Sequence, residues 1–252
     1  MTRGLETVTA NLAAADPKSI DVCHLDLDDA GGWLDALDAR LGLLAADEHV
    51  DAANERLAVE VRRRRRRARV LLRWALLERH GVAAARGGIV ERDEHGKPFM
   101  VGAPAFNVSH SGPLCVIAVA GTGPVGVDVE MPREVQLGPD RQALIVAAGL
   151  GLCPGEGDAL PFLTAWTRLE ALAKARGDGV GRLLTALGIT AAGVGTITPA
   201  EVTERARAIA AADGVAVTGL DLPGGAFGAV AGPVALVAQG VVCRAMTSAS
   251  LQ

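Results

Sequence analysis

The sequence predicts an α+β protein, and three observations predict it. Short stretches with strict two-residue alternation, such as 20–27 and 125–130, read as strands. Longer stretches with helical spacing, 46–80 and 159–176, read as helices. A faint internal echo sets Ile117-Ala-Val-Ala-Gly-Thr-Gly-Pro-Val125 against Gly228-Ala-Val-Ala-Gly-Pro-Val234 and permits two similar halves.

Residues 1–19 contain Ala, Thr, Asp and a Pro and read as a loose leader. The alternating strand 20–27 follows. Trp33, Leu34, Leu37 and Leu41 fit one helix face, with Gly42 suited to its C-cap. The helical pattern of 46–80 stops before Gly81 and contains six consecutive arginines, Arg62 to Arg67. At about 100° per residue they circle the helix and cannot all serve one surface. Most read as solvated charge on snorkelling stems; a few could hold a phosphate. Residues 89–92 read as a strand, 93–96 as a turn and 114–120 as a buried strand. Residues 133–158 read as punctuated by Gly and Pro, with one apolar run at 144–152. Leu183 to Leu187 and Ile189 are candidates for burial. Residues 200–212 read as a helix or a long charged turn, and 215–220 as a strand. Residues 224–243 read as two buried strands joined by a turn, since Gly232, Pro233, Gln239 and Gly240 interrupt a membrane span.

With 252 residues, half of them hydrophobic, the chain can form one large domain or two small ones. A net charge of −4 does not suggest nucleic acid. No basic start leads into an apolar run near Met1, so a cytoplasmic protein is expected. Cys23, Cys115, Cys153 and Cys243 share no close spacing, which points to buried thiols rather than zinc or disulfides. Of the 25 basic residues only Lys18, Lys97 and Lys174 are lysines, and two of these fall in motifs. A lysine there would act as a compact point charge.

The chemistry concentrates in two stretches. On the strand 125–130, Asp128 and Glu130 point the same way, roughly 6.5–7 Å apart along it. On the helix 159–176, Trp166, Glu170 and Lys174 fall at i, i+4 and i+8 on one face. Asp128, Glu130 and Glu170 are the donor type for Mg²⁺ or Mn²⁺, ions that usually sit on substrate phosphates. The same residues also read as an edge strand with solvated acids beside an ordinary helix ion pair. Ser109 and His110 lack a nucleophile elbow; they read as a phosphate-contacting pair or as a turn with local side-chain bonds.

Four ordered motifs carry a resemblance. Gly96-Lys97-Pro98, the stretch Phe106 to Ser111, the stretch Gly126 to Glu130, and Trp166-Thr167-x-x-Glu170-Ala171-x-x-Lys174-x-x-Gly177-x-Gly179 resemble the 4'-phosphopantetheinyl transferases of the surfactin-synthetase-activating type. Arg69 to Arg73 also resembles that family's helix before the first motif. The resemblance spans 47–179. It implies a monomer of two pseudo-twofold subdomains, 1–124 and 125–252, each an antiparallel sheet on a long helix, with the site in the cleft between. It implies coenzyme A as substrate with Mg²⁺, or Mn²⁺, and an apo acyl or peptidyl carrier protein as partner, with no nucleic acid and no membrane. The implied metal ligands are Asp128, Glu130 and Glu170, and the implied catalytic residues Glu170, Lys174 and Asp128. The implied coenzyme A contacts are Lys97, Pro98, Ser109, His110, Arg64 and Arg65. Two departures stand out. The family usually has Lys where this chain has Leu169, and Arg168 is the expected substitute. His49, Asp51 and Asn54 follow Asp47 and Glu48 where basic residues are usual. Leu169 is expected to face the carrier or the cleft wall. The alternatives are a paralogue that binds coenzyme A or a carrier without turnover, and a metal-dependent phosphohydrolase.

Overall fold

A computed structural model describes residues 18–45, 56–153, 161–189 and 197–246. The expected leader, save its last two residues, and the segment 46–55 lie outside them. The elements are β1 (Ile20–Asp26), α1 (Gly31–Leu41), α2 (Val59–His80), β2 (Glu91–Arg92), β3 (Pro98–Phe99), β4 (Ala105–Ser111), β5 (Leu114–Ala120), β6 (Gly126–Glu130), α3 (Pro139–Leu152), α4 (Phe162–Arg176), α5 (Val180–Leu187), α6 (Pro199–Ala212), β7 (Val215–Gly219), β8 (Phe227–Pro233), α7 (Val234–Gln239) and β9 (Val241–Ala245).

Two main sheets form, one ordered β4-β5-β1-β9 and one ordered β6-β8-β7; β2 and β3 make a separate hairpin. All pairings are antiparallel except β1 with β9. The fold is therefore mixed α+β. Alternation along the strands divides the apolar residues among three cores. Cys23 and Leu25 of β1 pack with Leu34 and Leu37 of α1 and Leu71 and Trp74 of α2. Ile20 and Val22 point the other way and join Val125, Val127, Val129 and Val230, so the two sheets share a core. Behind β8, Ala229 and Ala231 meet Leu144, Leu169, Leu172, Leu183 and Val202 from α3 to α6. Trp33 and Trp74 lock α1 to α2 edge-to-face, centroids 5.7 Å apart, an arrangement worth about 0.5–1.5 kcal/mol beyond its buried area.

Three expectations change. Residues 139–152, expected to be punctuated chain, form α3. Pro139 opens it at its first turn, where proline is tolerated. Gly149 and Gly151 do not break it; a Cβ there would lie 2.5 Å from Ala165 Cβ and from Thr203 O, so they admit α4 and α6 at close range. The two strands expected in 224–243 are joined by helix α7 rather than a turn, and β9 is half-exposed rather than buried. β9 pairs with β1 and completes the first sheet. Helix α2 starts at Val59; described residues 56–58 are not helical. All four cysteines are free, three of them buried. Burial pushes the Cys115 thiol up to about 12. Among the described residues no helix is long and apolar enough to cross a membrane.

Candidate functional site

The site grows from a close approach of β6 to α4. A Cβ at position 126 would lie 2.1 Å from the carbonyl oxygen of Ala171, so only glycine lets the strand lie against the helix. Two residues on, Asp128 meets α4. Lys174 Nζ lies 2.6 Å from Asp128 Oδ1 and also donates to Val127 O and Ser109 Oγ, each at 3.2 Å. Ser109 Oγ donates to the same Oδ1 at 2.9 Å. Gly177, at φ 79°, ends α4 just after Lys174.

Strand β4 runs beside β6 and is stitched to it by side chains at every second position. Asn107 Oδ1 accepts Val127 N–H at 3.0 Å, and Ser111 Oγ accepts Met131 N–H at 3.0 Å and donates to Glu130 Oε2 at 3.4 Å. Asn107 and Ser111 lie in the stretch Phe106 to Ser111, but the sequence reading assigns them no role of their own. The available signal was polar residues at alternate positions of one strand next to acids at alternate positions of another.

The electrostatics of this seam are lopsided. Asp128 is only 6% exposed. Burial pushes its carboxyl up, Lys174 and Ser109 work against that, and Glu130 adds to it. Glu170 is pushed up by burial first and then by Asp128, with Lys174 opposing and Glu130 adding. Three carboxylates thus share one field with one nearby ammonium. Glu130 carries its own counter-ion: Arg133 Nη2 donates to Oε1 at 2.9 Å and Nε to Oε2 at 3.2 Å. Among the described residues no group of three or more His, Cys, Asp or Glu forms a ready-made metal site. The donor set nevertheless suits a hard divalent cation, because it is all carboxylate oxygen and burial penalises the charged form of two members, a penalty that a cation would offset. Trp166, Glu170 and Lys174 share one half-buried face of α4, as the spacing predicts, and Phe162 stacks on Trp166 with centroids 6.2 Å apart.

The remaining predicted residues separate into two further places. Ser109 and His110 are consecutive on β4 and so point to opposite faces. Ser109 joins Asp128, while His110 is exposed and feels Arg65, Lys174 and Arg64; partial burial of the ring first, then these charges, push its pKa down. Arg64 sits beside it but its Nε is held by Asp28 Oδ1 at 3.1 Å. Lys97 is a clamp: its Nζ donates to Val125 O at 3.0 Å and Ala175 O at 3.1 Å, tying the entry of β6 to the end of α4. Pro98 is half-buried on the β2–β3 hairpin. A pocket of about 260 Å³ lined by Pro124, Ala175, Arg176, Asp178, Asp213 and Val215 opens at that end of α4 and includes none of the carboxylates at 128, 130 and 170.

Two expectations at the departure from the family pattern are corrected. Leu169 is fully buried among α3, α5 and α6 residues, so it faces neither a carrier nor a cleft. Arg168 is 1% exposed and donates to Gly149 O at 3.2 Å, so it points into the core and is not the expected substitute for the missing lysine. Both lie around the helix from Glu170, on the side that α3 covers.

No protein-family model matches the chain, and a search of curated proteins found no similar protein.

Proposed function

We propose that the protein transfers the 4'-phosphopantetheine group of coenzyme A to a serine of an apo acyl or peptidyl carrier protein and releases adenosine 3',5'-bisphosphate. The observation that carries this reading is the meeting of Ser109, Asp128 and Lys174 in one hydrogen-bonded group with Glu130 and Glu170 in its field. Motifs separated by up to 65 residues supply that group. The pseudo-twofold arrangement has support of its own. The orders β4-β5-β1 and β7-β8-β6 repeat the same pattern of three antiparallel strands, with the middle strand last in sequence each time. The sequence echo falls on those two middle strands, β5 and β8.

Asp128, Glu130 and Glu170 would hold Mg²⁺, or Mn²⁺, which when bound supplies charge neutralisation at the pyrophosphate. Lys174 places a positive charge at the same pyrophosphate, on a side chain positioned by Val127 O and Ser109. Glu170, whose affinity for a proton is raised, accepts the hydroxyl proton of the carrier serine. The serine oxygen then forms its bond to the pantetheine-bearing phosphorus, and the bond from that phosphorus to the bridging oxygen breaks. The electron pair leaves with adenosine 3',5'-bisphosphate. Arg65 and Arg64 supply positive charge beside His110, whose ring N–H is a hydrogen-bond donor for the 3'-phosphate.

A leucine at 169 in place of the usual lysine would favour the non-catalytic paralogue if that position lined the site. Its place in the core removes that support, because position 169 packs against α3 instead of lining the carboxylate face. Mass spectrometry of an apo carrier protein incubated with coenzyme A, Mg²⁺ and this protein tests the proposal. A pantetheinyl adduct on the carrier is expected. An unmodified carrier with intact coenzyme A would mark a binding protein, and cleaved coenzyme A alone a phosphohydrolase.

A further inference from the structure

The two basic side chains that hold the seam's carboxylates are not equivalent. Lys174 comes from the middle of the α4–β6 contact, its side chain 28% exposed, and its ammonium is fixed by Val127 O and Ser109 Oγ besides being paired to the Asp128 carboxylate, a side chain 8% exposed. Arg133 comes from the chain between β6 and α3, which has no regular structure. It is 50% exposed, against 19% for Glu130. Both of its contacts to Glu130 use carboxylate oxygens that a cation would need. An ion pair this open to water is held weakly, and its partner can swing into solvent without moving a strand or helix. Ser111 remains to orient Glu130 after the swing.

We propose that Arg133 is a displaceable counter-ion that competes with a divalent cation for Glu130 and thereby sets the cation affinity of the carboxylate site. This rests on the metal-site reading above. In the cation-free protein Arg133 neutralises Glu130. With a cation present, Glu130 would exchange its guanidinium partner for the cation while Lys174 stays on Asp128.

The test is Mn²⁺ binding to the protein without coenzyme A, followed by the paramagnetic signal of the free ion, for the wild type, Arg133→Ala and Arg207→Ala. Arg207 pairs with Glu204 on the exposed face of α6 and removes the same charge elsewhere. Arg133→Ala is expected to bind Mn²⁺ roughly two- to fivefold tighter than the wild type, the release of a surface ion pair, and Arg207→Ala to match the wild type. Thermal denaturation checks that all three are folded. Equal affinity in all three, or equal tightening in both variants, overturns the role of Arg133 while leaving the carboxylate site standing. No Mn²⁺ binding by any of the three removes the metal site and this proposal with it.

Discussion

Two charged regions of this molecule use the same side chains to opposite ends. Between α1 and α2 the arginine run is an interlock. Arg64 pairs with Asp28, Arg66 with Asp38 and Arg67 with Asp35, and Arg67 also donates to Leu27 O. Further along α2, Arg79 makes a two-bond pair with Asp21 of β1 at 2.6 and 2.8 Å, both residues buried. The Arg64 hydrogen bond pulls the Asp28 carboxyl below its ordinary range, and the Asp35 hydrogen bond raises Arg67. In the seam between β4, β6 and α4 the balance reverses, and Asp128 and Glu170 are pushed up. Acids matched by partners in the fold are there for the fold. Acids whose charged form burial disfavours are the ones the proposed chemistry uses.

The largest expected effect separates the two faces of α4. Leu169→Lys buries an ammonium in the core behind the seam, which costs about 4 kcal/mol or more. Thermal denaturation should show a loss of stability severe enough to deplete folded protein at growth temperature. A folded variant altered only in carrier affinity would put Leu169 back on the surface.

Next comes the buried pair of the interlock. Arg79→Met leaves the Asp21 carboxylate without its main partner, a loss of about 3–5 kcal/mol for a broken buried pair, read by urea denaturation. The pH dependence follows from the direction of the Asp21 shift. Burial raises this carboxyl, but His80 and Arg79 outweigh it and hold it low. A carboxyl lowered by folding stabilises above its unfolded value of about 3.9 and loses that contribution as pH falls through the folded value. Wild type should therefore lose stability below about pH 4 more steeply than Arg79→Met.

A gain of stability is expected in the seam. The Glu170 carboxyl is raised by folding, so its ionisation weakens the fold at neutral pH, and that penalty disappears as pH falls from the folded value toward the unfolded one. Glu170→Gln should raise the melting midpoint at pH 7 by a few degrees, about 1 kcal/mol for a chain of this size, while transfer falls. Smallest of all, Arg66→Ala removes a half-exposed pair to Asp38 and should cost under about 1 kcal/mol with transfer unchanged.

Much of this was legible in the chain. Alternation placed β1 and β6, a continuous apolar run placed β5, and glycines 42, 81 and 177 marked three helix ends. The spacing of Glu170 and Lys174 and the alternation of Asp128 put the central residues together because each periodicity is local. What stayed hidden is non-local. Gly149 and Gly151 look like breakers until α4 and α6 are known to press on them. The parallel pairing of β9 with β1 joins residues more than two hundred positions apart and leaves no local trace. Leu169 shows the limit most plainly: helical geometry places it away from Glu170, but only the position of α3 says whether that side is covered. The arginine run reads as solvated charge because its acids lie elsewhere, Asp35 and Asp38 on α1 and Asp28 in the turn before it.

The central claim is that the seam's carboxylates serve chemistry at the expense of the fold, and Asp128→Asn tests it most directly. Transfer to an apo carrier, measured by mass spectrometry with coenzyme A and Mg²⁺, and the thermal midpoint should be read on the same sample. The amide keeps an oxygen for Lys174 and Ser109 but loses the charge. A fall of roughly a hundredfold or more in transfer, the scale of removing one electrostatic contact to a transition state, with a midpoint unchanged or raised, is the result expected. Wild-type transfer with a lowered midpoint would make Asp128 another strut like Asp21, and would contradict the account.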